Sequence, residues 1–214
     1  MANIASNIPE KTIERLSEYR RTLIKCHAQG ITHVFSHVLA GMHGITAVQV
    51  RRDLMLIGFS SDTKKGYDVK VLIDFIDNIL YSEQPMNMAI IGMGHLGQAV
   101  TRYFNGKGLK LRVTAAFDVD EKKVGSTIDN IPCYHIDEFE ERVDELDISI
   151  VIVTSPTSAA AALVLPIINA GIKGVLNFTS APLNFPQGNV VENYDITTLL
   201  EKVAYFVKVA EDNS

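Results

Sequence analysis

The sequence predicts an α/β fold in two parts: a small helical domain, then a doubly wound parallel sheet with a terminal helix. Apolar residues recur at helical spacing as far as residue 82, whereas from residue 86 short Val- and Ile-rich runs alternate with helical stretches. Apolar runs without alternation are typical of parallel strands covered on both faces. A polar break divides the two patterns, and the predicted parts are residues 1–84, 85–193 and 194–214.

The composition narrows the class of protein. It is 47% hydrophobic and 21% charged, which is ordinary for a globular protein. No apolar run approaches the ~20 residues that span a bilayer, and the N-terminus lacks the basic and apolar segments of a signal peptide. The only cysteines, Cys26 and Cys133, belong to no metal-type cluster. We therefore expect a cytoplasmic protein with free thiols, without a membrane segment or a metal site.

Three helices open the first part. An apolar stripe predicts a helix that starts near Pro9 and ends at Gly30. A short helix capped by Ser36 closes at Gly44, and Thr46 caps a third helix of about ten residues. A helix, a short helix, a turn and a further helix form the helix-turn-helix arrangement.

A wing and a fourth helix complete this part. Residues 58–66 are polar and predict a loop or β-wing, after which Asp68 caps the fourth helix. The predicted inner face of that helix is Val71, Leu72, Phe75, Ile76 and Ile79. The first part is therefore predicted to be a winged helix, a fold that binds DNA.

The third helix is the candidate recognition helix. Residues 1–82 carry ten Lys/Arg and eight Asp/Glu, whereas residues 83–214 carry ten and seventeen, so the positive balance lies in the helical part. With Val50 and Leu54 buried, polar side chains would face outward, and arginine and glutamine can read base edges or hold phosphates. The predicted DNA contacts are Thr46, Gln49, Arg51, Arg52, Lys64 and Lys65. An ordinary solvated face, or a protein-binding module, would show the same charges.

The second part opens with a strand that runs into Gly-x-Gly-x-x-Gly. Gly92 allows a tight turn, Gly94 the close approach of a pyrophosphate, and Gly97 close packing of the next helix on the strand. The pyrophosphate would lie on the free N–H groups of the helix that begins near His95. Asp118 follows Gly97 by 21 residues at the end of the second strand, where a carboxylate accepts hydrogen bonds from a ribose and repels a 2′-phosphate. The motif predicts a Rossmann domain that prefers NAD to NADP.

The remaining apolar runs complete the sheet. Predicted strands are 88–91, 111–117, 131–134, 148–153, 174–178 and 189–192, and predicted helices are 95–104, 137–146, 158–170 and 195–209. Ligands of such folds lie beyond the carboxyl ends of the strands, where this chain has small and hydroxylated residues suited to a nicotinamide ring. Because no side chain there is placed as a proton donor, we expect a protein that binds NADH and NAD⁺ without catalysis. The predicted cofactor contacts are Gly92, Gly94, His95, Leu96, Gly97, Asp118, Thr154, Ser155 and Pro156.

These motifs together resemble the Rex family of bacterial redox-sensing transcriptional repressors. The resemblance covers nearly the whole chain, and its segments are residues 48–54, 66–67, 91–97, 117–120, 170–178 and 191–195. It implies a homodimer that binds double-stranded operator DNA, senses the ratio of NADH to NAD⁺ and exchanges its C-terminal helix between subunits. It also implies an interdomain network of Arg21, Tyr103 and Asp195. The wing departs from the family pattern, because Thr63 stands where the family has an arginine.

Two other classes of function remain open. One is a small NAD-dependent oxidoreductase, or a CoA-binding protein, with a helical appendage; Asp118 favours a ribose diol over the phosphorylated ribose of CoA. The other is a nucleotide-regulated module that binds protein. The operator sequence, the regulated genes, the effect of the altered wing and the roles of the cysteines do not follow from the sequence.

Overall fold

The computed structural model describes residues 8–60, 65–104 and 110–212. By its internal contacts the chain divides into two compact units, Met1–Gln84 and Pro85–Ser214. Among the described residues, no helix is both long enough and apolar enough to cross a membrane.

The N-terminal unit consists of four helices and a short antiparallel strand pair. Its elements are α1 (Glu10–Ala28), β1 (His33–Val34), α2 (Ser36–His43), α3 (Ala47–Leu56), β2 (Tyr67–Asp68) and α4 (Val69–Leu80). Two of the predicted caps are formed: Thr46 accepts a hydrogen bond from the N–H of Gln49, and Asp68 accepts one from the N–H of Val71. The wing lies partly outside the described residues, which resume at Lys65.

The prediction that Ser36 caps α2 was wrong. The helix starts at Ser36, and Phe35 holds the cap position without a side-chain hydrogen bond. The Ser36 hydroxyl instead accepts a hydrogen bond of 3.0 Å from the Arg51 guanidinium, a tertiary contact that competes with the local cap. The end of the helix is as predicted, because Gly44 has the left-handed φ of 64° that suits glycine.

The core of this unit gathers one face from each helix. Its most deeply buried side chains are Leu16, Tyr19, Leu23, Leu39, Val50, Leu54, Ile57, Val69, Leu72 and Ile76. The inner face of α4 differs from the prediction, since Val71 is 55% exposed and Val69 is buried in its place. Val69, Leu72 and Ile76 follow the spacing of three and four residues that aligns side chains along one helix face.

A buried carboxylate joins α1 to α3. Asp53 is fully buried and accepts two hydrogen bonds of 2.7 Å from Arg15, one of 2.8 Å from the Tyr19 hydroxyl and one of 2.9 Å from the Gln49 amide. Burial opposes the charge, but these donors outweigh it and lower the pKa of Asp53 below its ordinary value. The position of α3 is therefore fixed by α1.

The C-terminal unit is a seven-stranded sheet in the order β5-β6-β4-β3-β7-β8-β9. The strands are β3 (Met86–Ile91), β4 (Leu111–Asp118), β5 (Thr127–Ile128), β6 (Ile131–His135), β7 (Ile148–Val153), β8 (Gly174–Asn177) and β9 (Val190–Asn193). All pairs are parallel except β5 with β6, and the short β5 is an edge strand that the sequence did not predict. The strand order reverses beside β3, which has β4 on one side and β7 on the other.

Helices cover both faces of this sheet. The helices of this unit are α5 (His95–Phe104), α6 (Phe139–Glu145), α7 (Thr157–Ala160), α8 (Val164–Asn169) and α9 (Ile196–Asp212), with short 3₁₀ turns before α6 and between α7 and α8. On one face packs α5, and on the other pack α6 and α8, whereas α9 has no buried residue. Neighbouring strand residues belong to opposite apolar clusters, as Ala116 and Phe117 do, which explains the unbroken apolar runs. The helix predicted at 158–170 is instead three short segments, because Pro166 lacks an N–H and its ring crowds the preceding turn.

The terminal helix α9 presents an apolar face to solvent. In the part of the chain that the structure describes, none of its residues is buried. Its exposed apolar side chains are Ile196, Leu199, Leu200, Val203, Tyr205, Phe206 and Val207. A face of this length on one helix is typical of a surface that another chain covers.

We predict that Asp53→Asn lowers the free energy of unfolding of the full chain by about 2–4 kcal/mol, because it removes the charge that Arg15 and Tyr19 stabilise. Since the folded pKa is lowered, the carboxylate stabilises the fold above pH ~4 and this contribution is lost as the pH falls further. Denaturant unfolding between pH 3 and pH 7 should therefore show a flatter acid limb for the variant. Asp74→Asn, at an exposed ion pair with Lys70, is the control and should change stability by less than about 1 kcal/mol. Equal effects of the two changes would contradict the assignment.

Candidate functional site

A cleft of about 550 Å³ lies at the carboxyl ends of β3, β4 and β7. This is the point at which the strand order reverses, the usual ligand position in a doubly wound sheet. The predicted residues that line it are Gly92, Gly94, His95, Leu96, Asp118, Thr154, Ser155 and Pro156. The structure thus gathers every predicted cofactor contact at this cleft except Gly97, which packs against the Gly92 carbonyl and does not line the cleft.

The glycine turn is shaped by close approaches of backbone to backbone. Gly92 has a φ of 101°, and a Cβ there would lie 2.7 Å from the backbone nitrogen of Ser155. A Cβ on Gly97 would overlap the carbonyl oxygen of Gly92, so α5 can pack on β3 only without a side chain at this position. A Cβ on Gly94, in contrast, would meet nothing within 4 Å. Gly94 therefore leaves open space in which an anionic group can approach the backbone.

The start of α5 forms one end of the cleft. The helix begins at His95, and His95 and Leu96 are both exposed there. The first N–H groups of a helix have no partner within it and carry a partial positive charge. Together with the open surface over Gly94, this end of the cleft suits a pyrophosphate.

Asp118 anchors the opposite side of the turn. Its side chain is 8% exposed and accepts hydrogen bonds from the N–H of Met93 at 2.7 Å, the N–H of Asp120 at 3.0 Å and the Lys123 ammonium at 2.9 Å. Burial opposes its charge, but these three donors outweigh it and hold the pKa of Asp118 below the ordinary value. An ionised carboxylate at the end of β4 can accept a hydrogen bond from a ribose hydroxyl.

Two hydroxyl groups fasten β7 to β3. Thr154 donates to the carbonyl oxygen of Gly92 at 2.7 Å, and Ser155 donates to that of Ile91 at 3.0 Å. Their protons are thus committed to the backbone, although the oxygens can still accept. Both side chains therefore hold the end of β7 to the end of β3, next to Pro156 in the lining of the cleft.

Several residues that line the cleft were missed in the sequence. They are Ile91, Phe117, Val119, Asp120, Lys123, Ile136, Ala159 and Leu163. Most are apolar side chains that surround the strand ends, and the sequence around Asp118 gave no spacing that distinguishes Lys123 from Lys122. Among the described residues, no group of three His, Cys, Asp or Glu side chains is placed to hold a metal ion.

A second candidate surface is the outer face of α3. Val48 is 65% exposed and Met55 71% exposed, and with Arg51 and Arg52 they form one stripe at helical spacing. Arg51 donates to Ser36, which directs its guanidinium toward the start of α2. Thr46 lies exposed at the N-terminus of the same helix.

The other predicted DNA contacts differ in their placement. Gln49 is half-buried, and its amide donates to Asp53 one turn further along the same helix. Lys65 is exposed beside Gly66, whereas Lys64 lies outside the described residues. The outward face of α3 therefore presents two arginines among apolar side chains, with Gln49 only partly exposed.

The predicted interdomain residues are divided between the two units. Arg21 is exposed on α1, and Tyr103 is exposed on α5, where its ring lies 5.3 Å from that of Phe104. Asp195 precedes α9 and accepts hydrogen bonds from the Thr198 hydroxyl, the N–H of Thr197 and the Ser180 hydroxyl. The bond from Thr198 is the main reason that the pKa of Asp195 is lowered. All three side chains are accessible in the single chain.

Two protein families match separate parts of the chain. The family described as "Putative DNA-binding protein N-terminus" matches residues 7–54, and the family described as "CoA binding domain" matches residues 83–181. The first match contains α1 to most of α3, and the second contains the glycine turn and Asp118.

Relatives match over the whole length. The redox-sensing transcriptional repressor Rex of Geobacillus kaustophilus is 38% identical over 97% of both chains, and that of Leuconostoc citreum is 36% identical over 94% of this chain and 93% of its own. Crystal structures of RSP, a Rex-family repressor, are 27% identical. The complex with β-NAD⁺ and operator DNA has a TM-score of 0.89 over 96% of this chain and 95% of RSP. The complex with β-NADH has a TM-score of 0.83 over 96% and 97%. These matches confirm the predicted fold class.

We predict that Asp118→Ala weakens NADH binding and narrows the preference of the cleft for NADH over NADPH. The reason is that the carboxylate accepts a ribose hydroxyl but repels a phosphate on the same ribose. Calorimetric titration of both cofactors measures the preference, and Glu121→Ala, an exposed neighbour, is the control. Equal affinities for NADH and NADPH in the unmodified protein would refute this role of Asp118.

We predict that Arg52→Ala or Arg51→Ala lowers affinity for the specific duplex by about 1–3 kcal/mol if the residue reads a base. Lys65→Ala should weaken binding to all duplexes alike and reduce the slope of log affinity against log salt by about one. Anisotropy titrations at several salt concentrations measure both, and Lys70→Ala on α4 is the control. Arginine variants that hold the specific duplex as tightly as the parent would exclude α3 as the recognition helix.

Proposed function

The chain belongs to the Rex family of redox-sensing transcriptional repressors, and we propose that it binds operator DNA as a homodimer and leaves it when NADH occupies the cleft. One observation carries this proposal: a single chain places a dinucleotide-type cleft in one unit and an outward stripe with two arginines in the other. RSP has been crystallised both with β-NAD⁺ and operator DNA and with β-NADH.

The charge of the nicotinamide ring explains how the two cofactors differ. The oxidised ring is cationic and the reduced ring is neutral, and burying an unpaired charge is costly. Around the strand ends the cleft is lined by Phe117, Ile136, Leu163 and other apolar side chains. The reduced ring can therefore be enclosed near Thr154, Ser155 and Pro156 more readily than the oxidised ring.

A second copy of the chain accounts for the exposed face of α9. Its apolar stripe, from Ile196 to Val207, is covered in a homodimer that exchanges this helix. Two winged helices then meet two half-sites on one duplex, whose spacing is fixed by the helical repeat of DNA. A change in the distance between the subunits moves both α3 helices out of register with the two half-sites of the duplex.

The predicted interdomain residues connect NADH binding in the cleft to release of the duplex. Arg21 lies on α1, the helix that fixes α3 through Asp53, whereas Tyr103 and Asp195 belong to the nucleotide-binding unit. We propose that contacts among Arg21, Tyr103 and Asp195 in the dimer change as the subunits close. NADH binds the closed arrangement better than the open one. It shifts the equilibrium toward the closed arrangement by that difference in affinity.

An enzymatic function has less support. The match to the CoA binding domain ends at residue 181, whereas the repressors match across both units. A phosphorylated ribose would meet the Asp118 carboxylate. We therefore propose a cytoplasmic regulator rather than a dehydrogenase.

A titration of fluorescent operator duplex with this protein tests the proposal. With NAD⁺ present the complex should form, and adding NADH should dissociate it. Oxidation of NADH with simple carbonyl substrates, without duplex binding, would favour an oxidoreductase instead.

We predict that Asp195→Ala uncouples the two sites. The variant should bind NADH and duplex separately, but NADH should no longer release the duplex, because the carboxylate that contributes to the contacts with Arg21 and Tyr103 is gone. Asp137→Ala, an exposed carboxylate of the same unit, should behave like the unmodified protein. Normal release by NADH in the Asp195 variant would exclude Asp195 from the switch.

A further inference from the structure

We propose that Lys123 is a second determinant of cofactor choice, which lessens the discrimination that Asp118 imposes against a 2′-phosphorylated dinucleotide. This inference rests on the proposed function only in requiring that the cleft binds NADH. It concerns the ribose edge of the cleft, where Lys123 and Asp118 lie side by side.

The acceptor capacity of Asp118 is nearly used within the protein. An ionised carboxylate has about four lone-pair positions. Among the described residues, the N–H of Met93 and the Lys123 ammonium take both positions on Oδ2, and the N–H of Asp120 takes one on Oδ1. One position on Oδ1 is left, so the carboxylate can accept one ribose hydroxyl but not two. The ribose edge must therefore be recognised by more than Asp118.

Lys123 supplies the other half of that edge. Its Nζ lies 2.9 Å from Oδ2 of Asp118 and 3.8 Å from Oδ2 of Asp120, and its side chain lines the cleft at 29% exposure. An ammonium has three donors, and the bond to Asp118 uses one. The remaining donors can serve an oxygen of the ligand.

The pair therefore acts on a 2′-phosphate with opposite signs. The Asp118 carboxylate repels the phosphate, while the Lys123 ammonium, less than 3 Å away from it, attracts the phosphate over a similar distance. The carboxylate alone would exclude NADPH, but the pair only disfavours it. Removing the ammonium also frees a lone pair on Oδ2 for the second ribose hydroxyl, which favours NADH.

The neighbouring lysine provides a matched control. Lys122 is exposed, and its backbone N–H donates to Asp120. It carries the same charge one residue away but does not line the cleft. K122M thus changes the net charge of the loop as K123M does, without changing the ribose edge.

Fluorescence titrations of the full-length protein with NADH and NADPH test the inference. In the unmodified protein NADPH should bind measurably, though more weakly than NADH. K123M should widen the ratio of the two affinities about tenfold, since a charge-assisted contact to phosphate is lost. K122M should keep the original ratio, whereas K123R, which retains the charge and can bind a phosphate through two N–H groups, should keep or narrow it.

Competition by adenosine 2′,5′-bisphosphate and by AMP confines the measurement to the ribose edge. K123M should weaken the binding of adenosine 2′,5′-bisphosphate but not the binding of AMP. Thermal unfolding of each variant, together with the milder K123Q, distinguishes loss of fold from loss of selectivity. An unchanged ratio in K123M, or no measurable NADPH binding by the unmodified protein, would overturn the role of Lys123. Absence of NADH binding as well would instead defeat the proposed function.

Discussion

The hydrogen bonds accepted by Asp118 fix the geometry on which the nucleotide site depends. One bond holds the glycine turn through Met93, and another holds the loop after β4 through Asp120. Because the carboxylate is nearly buried, it needs these donors and Lys123 to remain ionised. We propose that the same charge that organises the turn also accepts a hydrogen bond from a ribose, so that the fold and the recognition of the ligand depend on one side chain.

In the N-terminal unit, Asp53 is likewise a buried carboxylate that accepts several hydrogen bonds. Arg15 and Tyr19 on α1 neutralise and bind a carboxylate that belongs to α3. A buried charge held by several donors resists displacement, because losing any partner leaves it unpaired. Since Arg21 lies on the same helix as these donors, a force applied to α1 moves the outer face of α3 with it. In each unit, a buried aspartate fixes the position of the surface that we propose as the ligand-binding surface.

Much of the fold was predictable because its signals are local. The glycine spacing and the apolar runs predicted β3, α5 and β4 within a few residues, and Thr46 and Asp68 cap the helices they were assigned. The cap error concerns Ser36, whose hydroxyl is bonded by Arg51 of another helix. Gln49, a predicted DNA contact, donates to Asp53 one turn further along its own helix. Lys123 was missed because the sequence does not show which lysine of a short loop reaches Asp118. Pro166 was a local signal, and it predicts the broken helix once its missing N–H is considered.

The coupling between the cleft and the proposed DNA-binding surface is measured most directly through thermodynamic linkage between the two affinities. If NADH weakens the affinity for operator duplex by some factor, the duplex must weaken the affinity for NADH by the same factor. The fluorescence of NADH should therefore report a higher dissociation constant at saturating duplex than without DNA, with both factors equal. An identical NADH affinity with and without saturating operator duplex would contradict the account.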